Sequence, residues 1–217
     1  MPTRMARLDE NSSERFGRRI LSLADLKTSL GAPETIVCLG NGPSSEYPQV
    51  AVYRDACLFR VNWIWLERGW MTAPNVVFTS DPDFVRLPRQ PLVIFPTEAI
   101  GGPILRSFGA EEHPPLAGYA FLDGFDPPVA DLTAAKIPTN GALMTALAAL
   151  LRPRRLVIAG IDLYRHPAGK YPGPADCPEG YTRQHSETID LQLIGHALRS
   201  FAGEALVLSE NLRKALA

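Results

Sequence analysis

A strand that leads directly into a glycine turn constrains the fold of this chain more than any other stretch. The apolar run Thr35–Leu39 is followed by Gly40, Asn41, Gly42, Pro43 and Ser44. Apolar runs with β-branched residues are typical of strands buried on both faces of a sheet. Glycines allow a tight turn and a close approach by a ligand, and proline suits the first position of a helix. The stretch predicts a strand–turn–helix unit that either binds an anion at the helix start or is an ordinary tight turn.

Length and composition limit the classes of protein that need to be considered. A chain of 217 residues with 46% hydrophobic and 21% charged residues suits a soluble α/β domain. Its net charge of −1 argues against a general nucleic-acid binder. It has three cysteines without metal-ligand spacing, no apolar run long enough to span a membrane and no signal-peptide core. We therefore expect a cytoplasmic protein.

Further apolar runs predict the remaining strands of a mostly parallel sheet flanked by helices. These strands are expected over 57–62, 75–80, 92–95, 119–122, 155–162 and 205–208. Apolar residues at helical spacing between 13 and 30 predict a basic helix, which lies either on an anionic membrane or on the flank of the domain. The prediction is a single Rossmann-like domain over 33–217, preceded by an arm and flanking helix in 1–32.

The glycine turn does not match the dinucleotide-binding fingerprint. Ser45 stands where the third glycine of that motif belongs, and Asn62 stands where an acidic residue would bind the ribose hydroxyls. A nucleotide could still bind through the neutral amide of Asn62 at the end of the second strand. Alternatively, Asn62 caps the helix that follows it.

Two acidic residues follow the third predicted strand. Asp81 and Asp83 flank a proline, which suggests a metal–diphosphate site or, more commonly, turn chemistry and a helix cap. We predict the cap and no metal site.

A second helix start lies at Thr139, Asn140 and Gly141, ahead of an apolar helix and of a strand that ends at Gly160 and Asp162. If the sheet is parallel, this helix start opens on the same edge as the first glycine turn. Ligands of open α/β sheets bind along that carboxyl edge.

A long aperiodic stretch follows, with Tyr164, Tyr171 and Tyr181 among prolines and glycines. Such a stretch is typical of a lid or binding loop, and we place a lid at about 165–184. His185 lies between this loop and a helix that Ser186 is expected to cap. A histidine in that place is either a general base or a structural residue.

Five motifs together resemble the bacterial lipooligosaccharide sialyltransferases of glycosyltransferase family 42. The resemblance follows the order of the family's motifs over roughly residues 34–212 and rests on these stretches: Gly40-Asn41-Gly42-Pro43-Ser44, Phe59-Arg60-Val61-Asn62, Thr139-Asn140-Gly141, Gly160-Ile161-Asp162-Leu163-Tyr164 and His185-Ser186-Glu187-Thr188-Ile189-Asp190. It implies a Rossmann-like domain with a lid, and an inverting, metal-independent transfer of a sialic-acid-like sugar from a CMP-activated donor to a glycan acceptor.

The resemblance also implies roles for individual residues. Asn41 and Asn62 would contact the donor, and Thr139 and Asn140 would hold the carboxylate of the sugar. Tyr164 and Tyr171 would donate to the departing phosphate, and His185 would be the general base. The donor site as a whole is expected to comprise Gly40, Asn41, Gly42, Pro43, Ser44, Asn62, Thr139, Asn140, Gly141 and Asp162.

The expected partners are the CMP-sugar, which is a substrate and not a cofactor, and the glycan acceptor. Peripheral contact with the inner face of the membrane and a homo-oligomer are left open. Two other functions also remain open. A metal-dependent enzyme similar to the pterin diphosphokinases would use Asp81 and Asp83. A non-catalytic nucleotide-sugar binder would retain CMP without turning over a donor.

Overall fold

The computed structural model describes residues 16–87, 89–110, 113–167 and 181–217. The strands are β1 (Arg18–Ile20), β2 (Thr35–Leu39), β3 (Cys57–Val61), β4 (Val76–Phe78), β5 (Leu92–Phe95), β6 (Gly118–Phe121), β7 (Arg155–Ala159) and β8 (Glu204–Val207). The α-helices are α1 (Leu23–Ser29), α2 (Glu98–Ala110), α3 (Asn140–Leu150), α4 (Glu187–Arg199) and α5 (Glu210–Leu216). Short 3₁₀ helices join several of these elements, including Pro43–Glu46 and Pro48–Tyr53 after β2.

The eight strands form one sheet in the order β1-β6-β5-β4-β3-β2-β7-β8, and all neighbours run parallel. The central strands are buried along almost their whole length. This explains why they are continuous apolar runs, since a parallel sheet is covered on both faces. The fold class predicted from the sequence is confirmed.

Alternate side chains of the strands enter different layers of the core. In β2, Ile36 and Cys38 pack into the cluster that contains α3 and part of α4. Val37 and Leu39 pack into a second cluster, with Val50 from the 3₁₀ segment that follows. Helix α3 is buried on nearly every side, as its almost unbroken apolar sequence predicts.

The predicted helix over 13–30 is wrong in its first part. Arg18–Ile20 is an edge strand that pairs with β6, and α1 begins only after Ser22, whose hydroxyl accepts from the N–H of Asp25. Pairing at the sheet edge outweighs the helical spacing of the apolar residues, a tertiary effect that periodicity does not report. Arg18 is paired with Asp25, and Arg19 with Glu98. The segment therefore lies on the flank of the sheet, which was one of the two expected placements.

Most other predicted elements agree with the structure to within a few residues. The strand predicted over 155–162 ends at Ala159, and the strand predicted over 75–80 is Val76–Phe78. Pro43 does begin a helix, but it is a short 3₁₀ helix and not an α-helix. Within the described residues, no helix combines the length and the apolar character needed to cross a membrane.

Candidate active site

A cavity of about 280 Å³ opens at the carboxyl edge of the sheet. The chain continues from β2 to β3 on one side and later adds β7 on the other side of β2, so the strand order reverses at this point. Ligands of open α/β sheets bind at such a switch point. The wall of the cavity is formed by residues 40–42, 61, 62, 139–141, 160–164, 181, 182, 185 and 190.

The glycines let the ends of β2 and β7 approach each other. A Cβ on Gly160 would lie 2.5 Å from the main-chain oxygen of Gly40, and a Cβ on Gly40 would clash with the main-chain oxygen of Gly160. Gly160 also has a φ of 73°, which favours glycine. The sequence suggested that the glycines of the turn allow a close approach by a ligand. In the structure, the end of the neighbouring strand makes the close approach to Gly40.

The N–H groups of the glycine turn already have partners within the protein. Gly42 donates to the oxygen of Gly160 at 2.9 Å, and Ser45 donates to the oxygen of Gly42 at 3.0 Å. The N–H of Ser44 donates to Oδ2 of Asp162 at 2.9 Å. These three groups are therefore not available to an anion, and of the two alternatives for this stretch their hydrogen bonds favour the tight turn.

A buried hydrogen-bond network connects the turn to the segment after β7. The hydroxyl of Ser44 donates to Oδ1 of Asp162 at 2.5 Å and accepts from the N–H of Gly160 at 2.7 Å. It also lies 2.7 Å from the hydroxyl of Ser209, which accepts from the N–H of Ile161. Ser44, Asp162 and Ser209 are almost completely buried. Both carboxylate oxygens of Asp162 thus hold the turn in place.

Three asparagines line the cavity. Asn41 is buried, and its Oδ1 has no hydrogen-bond partner within the described part of the chain. Asn62 has a φ of 55°, a left-handed conformation that asparagine adopts more readily than most other non-glycine residues. The Nδ2 of Asn140 lies 3.5 Å from Oδ1 of Asn62. These neutral amides present donors and acceptors to a ligand without adding charge.

Asp190 connects the start of α3 to α4. Its Oδ1 accepts the N–H of Thr139 at 2.8 Å, and its Oδ2 accepts the Thr139 hydroxyl at 2.6 Å. The hydroxyl of Tyr181 lies 3.4 Å from Oδ2. Burial raises the pKa of Asp190 above its ordinary value, while the hydrogen bonds from Thr139 act in the opposite direction. The Thr139 hydroxyl also caps α3 by accepting from the N–H of Ala142.

The imidazole of His185 is held in one tautomer. Its Nδ1 lies 2.9 Å from the main-chain oxygen of Ile137. Because a carbonyl oxygen only accepts, Nδ1 carries the proton and Nε2 is the acceptor of the neutral ring. The N–H of Ile137 in turn donates to the oxygen of Gln184 at 2.9 Å. His185 therefore presents a basic nitrogen from a position that lines the cavity.

Tyr164 lies in a strained part of the wall. Leu163 and Tyr164 have φ values of 53° and 56°, and such conformations persist only where the surroundings impose them. The Tyr164 ring meets the ring of Tyr181 edge-to-face, with centroids 4.8 Å apart. Tyr171 lies outside the described residues, as does most of the predicted lid.

Asp81 has the capping role that the sequence favoured. Its Oδ1 accepts the N–H of Asp83 at 2.8 Å at the start of a 3₁₀ helix, and its Oδ2 accepts Nε1 of Trp63 at 3.0 Å. Among the described residues, no three or more histidine, cysteine, aspartate or glutamate side chains are grouped as metal ligands.

Comparison with known proteins gives matches among solved structures. No family model and no curated protein matches the chain. The monofunctional α-2,3-sialyltransferase Cst-I of Campylobacter jejuni is 16% identical, with a TM-score of 0.55 over 82% of this chain and 76% of that chain. Cst-II of Campylobacter jejuni with the substrate analogue CMP-3FNeuAc is 15% identical, with a TM-score of 0.55 over 82% of both chains. Cst-II with trisaccharide acceptor and CMP is 16% identical, with a TM-score of 0.54 over 82% of both chains.

The fold is that of these sialyltransferases. The fold implied by the sequence resemblance is therefore confirmed, although the identity of the chains is low. Most of the residues that the resemblance singled out meet in one cavity, namely Gly40, Asn41, Gly42, Asn62, Thr139, Asn140, Gly141, Asp162, Tyr164 and His185. Pro43 and Ser44 are not among the lining residues.

Sequence reasoning missed Asp190 and Tyr181 as members of the site. Asp190 shares a face of α4 with the buried Ile194 and Ala197, at the spacing of an apolar stripe. A carboxylate on an apolar stripe was the signal available in the sequence. Tyr181 was noted in the aperiodic stretch with Tyr164 and Tyr171 but was given no role, since only the fold brings it to Asp190 and Tyr164.

Proposed function

We propose that this chain is a glycosyltransferase that transfers a sialic-acid-like sugar from a CMP-activated donor to a glycan acceptor. The reaction is metal-independent and inverts the anomeric centre, and the donor is its only activated cosubstrate. The solved structures with this fold include complexes with CMP, with a CMP-sugar analogue and with a trisaccharide acceptor. The observation that carries the proposal is the fixed tautomer of His185 at the wall of the cavity.

The amide groups of Asn41 and Asn62 would bind the donor. The Oδ1 of Asn41 is a buried acceptor without a protein partner in the described residues, and a buried polar group of that kind costs free energy unless a ligand or water pairs with it. A neutral nucleotide base or a sugar hydroxyl would donate the hydrogen bond that Oδ1 needs.

The start of α3 would receive the carboxylate of the sugar. The first turn of this 11-residue helix lines the cavity, and the positive end of a helix favours anions. Thr139 and Asn140 were both expected to hold the carboxylate. Because the Thr139 hydroxyl gives its proton to Asp190, we infer that the Asn140 side chain and the main-chain N–H groups of Asn140 and Gly141 carry this role.

His185 would act as the general base. A sugar hydroxyl is a weak nucleophile, and a base near it takes the proton as the new bond forms. The hydrogen bond from Nδ1–H to the main-chain oxygen of Ile137 fixes the ring so that Nε2 can accept the proton of the sugar hydroxyl. The hydroxyl oxygen then attacks the anomeric carbon from the face opposite to CMP.

The bond between the anomeric carbon and the phosphate oxygen of CMP breaks in the same step, and CMP leaves with the electron pair. Tyr164 would donate a hydrogen bond to the departing phosphate, and Tyr171 is proposed to do the same. Phenol donors stabilise the developing negative charge without a metal ion. The strained backbone at Leu163 and Tyr164 is consistent with a side chain held in place for such a role.

Nucleotide binding tests the proposal. Calorimetry in EDTA should show that CMP binds more tightly than UMP, AMP or GMP, and that Asn41→Ala weakens CMP binding. Binding that appears only with magnesium would favour a metal-dependent nucleotide enzyme. Binding of CMP without transfer or donor hydrolysis would favour a non-catalytic binder. Cytoplasmic localisation stays a prediction, and peripheral membrane contact and a homo-oligomer stay open.

A further inference from the structure

Arg68 lies directly behind the glycine turn and is not part of the cavity wall. Its Nη2 donates to the main-chain oxygen of Asn41 at 2.9 Å, and its Nη1 donates to Oε1 of Glu46 at 2.5 Å. The side chain of Arg68 is only 12% exposed. One guanidinium therefore joins the residue before Gly42 to the end of the 3₁₀ helix that follows the turn.

The hydrogen bond from Arg68 acts on the peptide group that joins Asn41 to Gly42. The carbonyl of Asn41 and the N–H of Gly42 belong to one peptide group, and this N–H donates to the oxygen of Gly160 at 2.9 Å. A charged donor on the carbonyl polarises the peptide and strengthens the hydrogen bond on its other side. The peptide is thus held from both sides, by Arg68 and by the end of β7.

The loop after β3 holds the turn at a second point. Nε1 of Trp70 donates to the main-chain oxygen of Ser45 at 2.9 Å, and Nη2 of Arg60 donates to the oxygen of Trp70 at 2.5 Å. Arg60 is completely buried. Burial and, to a smaller extent, the Arg68 charge lower its pKa to about 9, and the Glu46 charge opposes this shift. The negative charge of Glu46 therefore offsets the positive charges of Arg60 and Arg68 behind the turn.

The side chain of Asn41 depends on this support. Its Oδ1 is buried in the cavity wall and has no hydrogen-bond partner among the described residues. Within the part of the chain that the structure describes, no donor fixes that oxygen, and Asn41 is held through its main chain. The main-chain oxygen of Asn41 is the atom that Arg68 holds.

We propose that Arg68 is a positioning residue for Asn41, which keeps the Asn41 amide oriented for the CMP-activated donor. This inference rests on the proposed function, because it assigns Asn41 to donor binding. Arg68 would act through the main chain of Asn41 and would not touch the donor.

Calorimetry with CMP tests the role of Arg68 in binding. Arg68→Met should raise the Kd for CMP about tenfold, as expected for loss of a charge-assisted hydrogen bond. Arg68→Lys keeps the charge and should restore part of the affinity. The same substitution at an exposed ion pair near the start of β7, Arg155→Met, should leave the Kd unchanged. In steady-state transfer, Arg68→Met should raise KM for the donor and leave kcat within about twofold of the wild-type value.

The orientation of Asn41 is measured separately, without nucleotide. The side-chain amide signals of Asn41 in ¹⁵N NMR spectra should shift in Arg68→Met and stay in place in Arg155→Met. If Arg68→Met does not fold, Arg68→Lys is examined with the same readouts. A folded Arg68 variant with unchanged Asn41 signals would overturn the inference. If the wild-type protein does not bind CMP, the proposed function fails, and the NMR comparison still decides whether Arg68 orients Asn41.

Discussion

The hydroxyl of Thr139 donates to Oδ2 of Asp190 at 2.6 Å, and the N–H of Thr139 donates to Oδ1 of the same carboxylate at 2.8 Å. A hydroxyl has one proton to donate, so the Thr139 hydroxyl uses its proton in the hydrogen bond to Asp190. The start of α3 is thereby fixed to the first turn of α4. His185 lies just before α4 and is bonded to Ile137, just before Thr139, so the candidate base and the candidate anion site are held together.

Thr139→Val should destabilise the protein more than it weakens CMP binding. The variant loses the hydroxyl bond to Asp190 and the cap on α3, which together correspond to about 2–3 kcal/mol of unfolding free energy. The Kd for CMP should change by less than about threefold. Urea denaturation and calorimetry measure the two quantities, with the exposed Thr28→Val as a control. Loss of CMP binding in a stable Thr139→Val protein would contradict the inferred role.

Asp190 should make the stability of the protein depend on pH. Burial raises its pKa in the folded protein. Asp190 therefore contributes its full stabilisation at pH values below its pKa in the unfolded chain. This contribution is lost as the pH rises through its pKa in the folded protein. Asp190→Asn does not titrate. The unfolding free energy of the wild type minus that of Asp190→Asn should thus fall as the pH rises from below the unfolded pKa of Asp190 through its raised folded pKa. A difference that increases with pH would show that the Thr139 hydrogen bonds outweigh burial.

Ser44→Ala should be strongly destabilising because it breaks a buried network. The substitution leaves Asp162, Ser209 and the N–H of Gly160 short of one partner each. Buried groups left without partners cost about 1–3 kcal/mol each, and we expect a loss of about 2–4 kcal/mol in urea denaturation. Ser107→Ala, on the exposed surface of α2, is the control and should change stability by less than about 0.5 kcal/mol.

Asp81→Asn should leave nucleotide binding and transfer unchanged. Both carboxylate oxygens of Asp81 accept hydrogen bonds from the protein. Asparagine keeps the cap but has one acceptor oxygen, so the substitution should cost about 1 kcal/mol of stability through the lost bond from Trp63. Asp131→Asn, which alters an exposed turn bonded to Thr133, is the matched control. If Asp81→Asn alone abolished binding of CMP in magnesium, a metal–diphosphate role would replace the cap.

The sequence was sufficient to predict seven of the eight strands of the sheet and much of the cavity. Buried parallel strands are read directly from apolar runs such as Thr35–Leu39, and the helix starts at Pro43 and Thr139 follow from the residues that precede apolar segments. Because all strands are parallel, their carboxyl ends share one edge, and this brings Asn41, Asn62 and Asp162 together.

The remaining features depend on contacts between distant parts of the chain. The strand Arg18–Ile20 exists because β6 offers an edge to pair with. The N–H groups of the turn are engaged because Gly160 and Asp162 approach it from β7. Asp190 and Arg68 act on Thr139 and Asn41 from positions 51 and 27 residues away. Local patterns in the sequence carry no information on these distances.

Single-turnover transfer from CMP-sialic acid to a galactose-terminated acceptor in EDTA tests the central claim most directly. The wild-type protein should transfer the sugar, and His185→Ala should do so about 10²–10⁴ times more slowly. Its Kd for CMP should remain within about threefold of the wild-type value, because His185 is assigned to the acceptor. Full activity of His185→Ala, or CMP binding by the wild-type protein with neither transfer nor donor hydrolysis, would contradict the account.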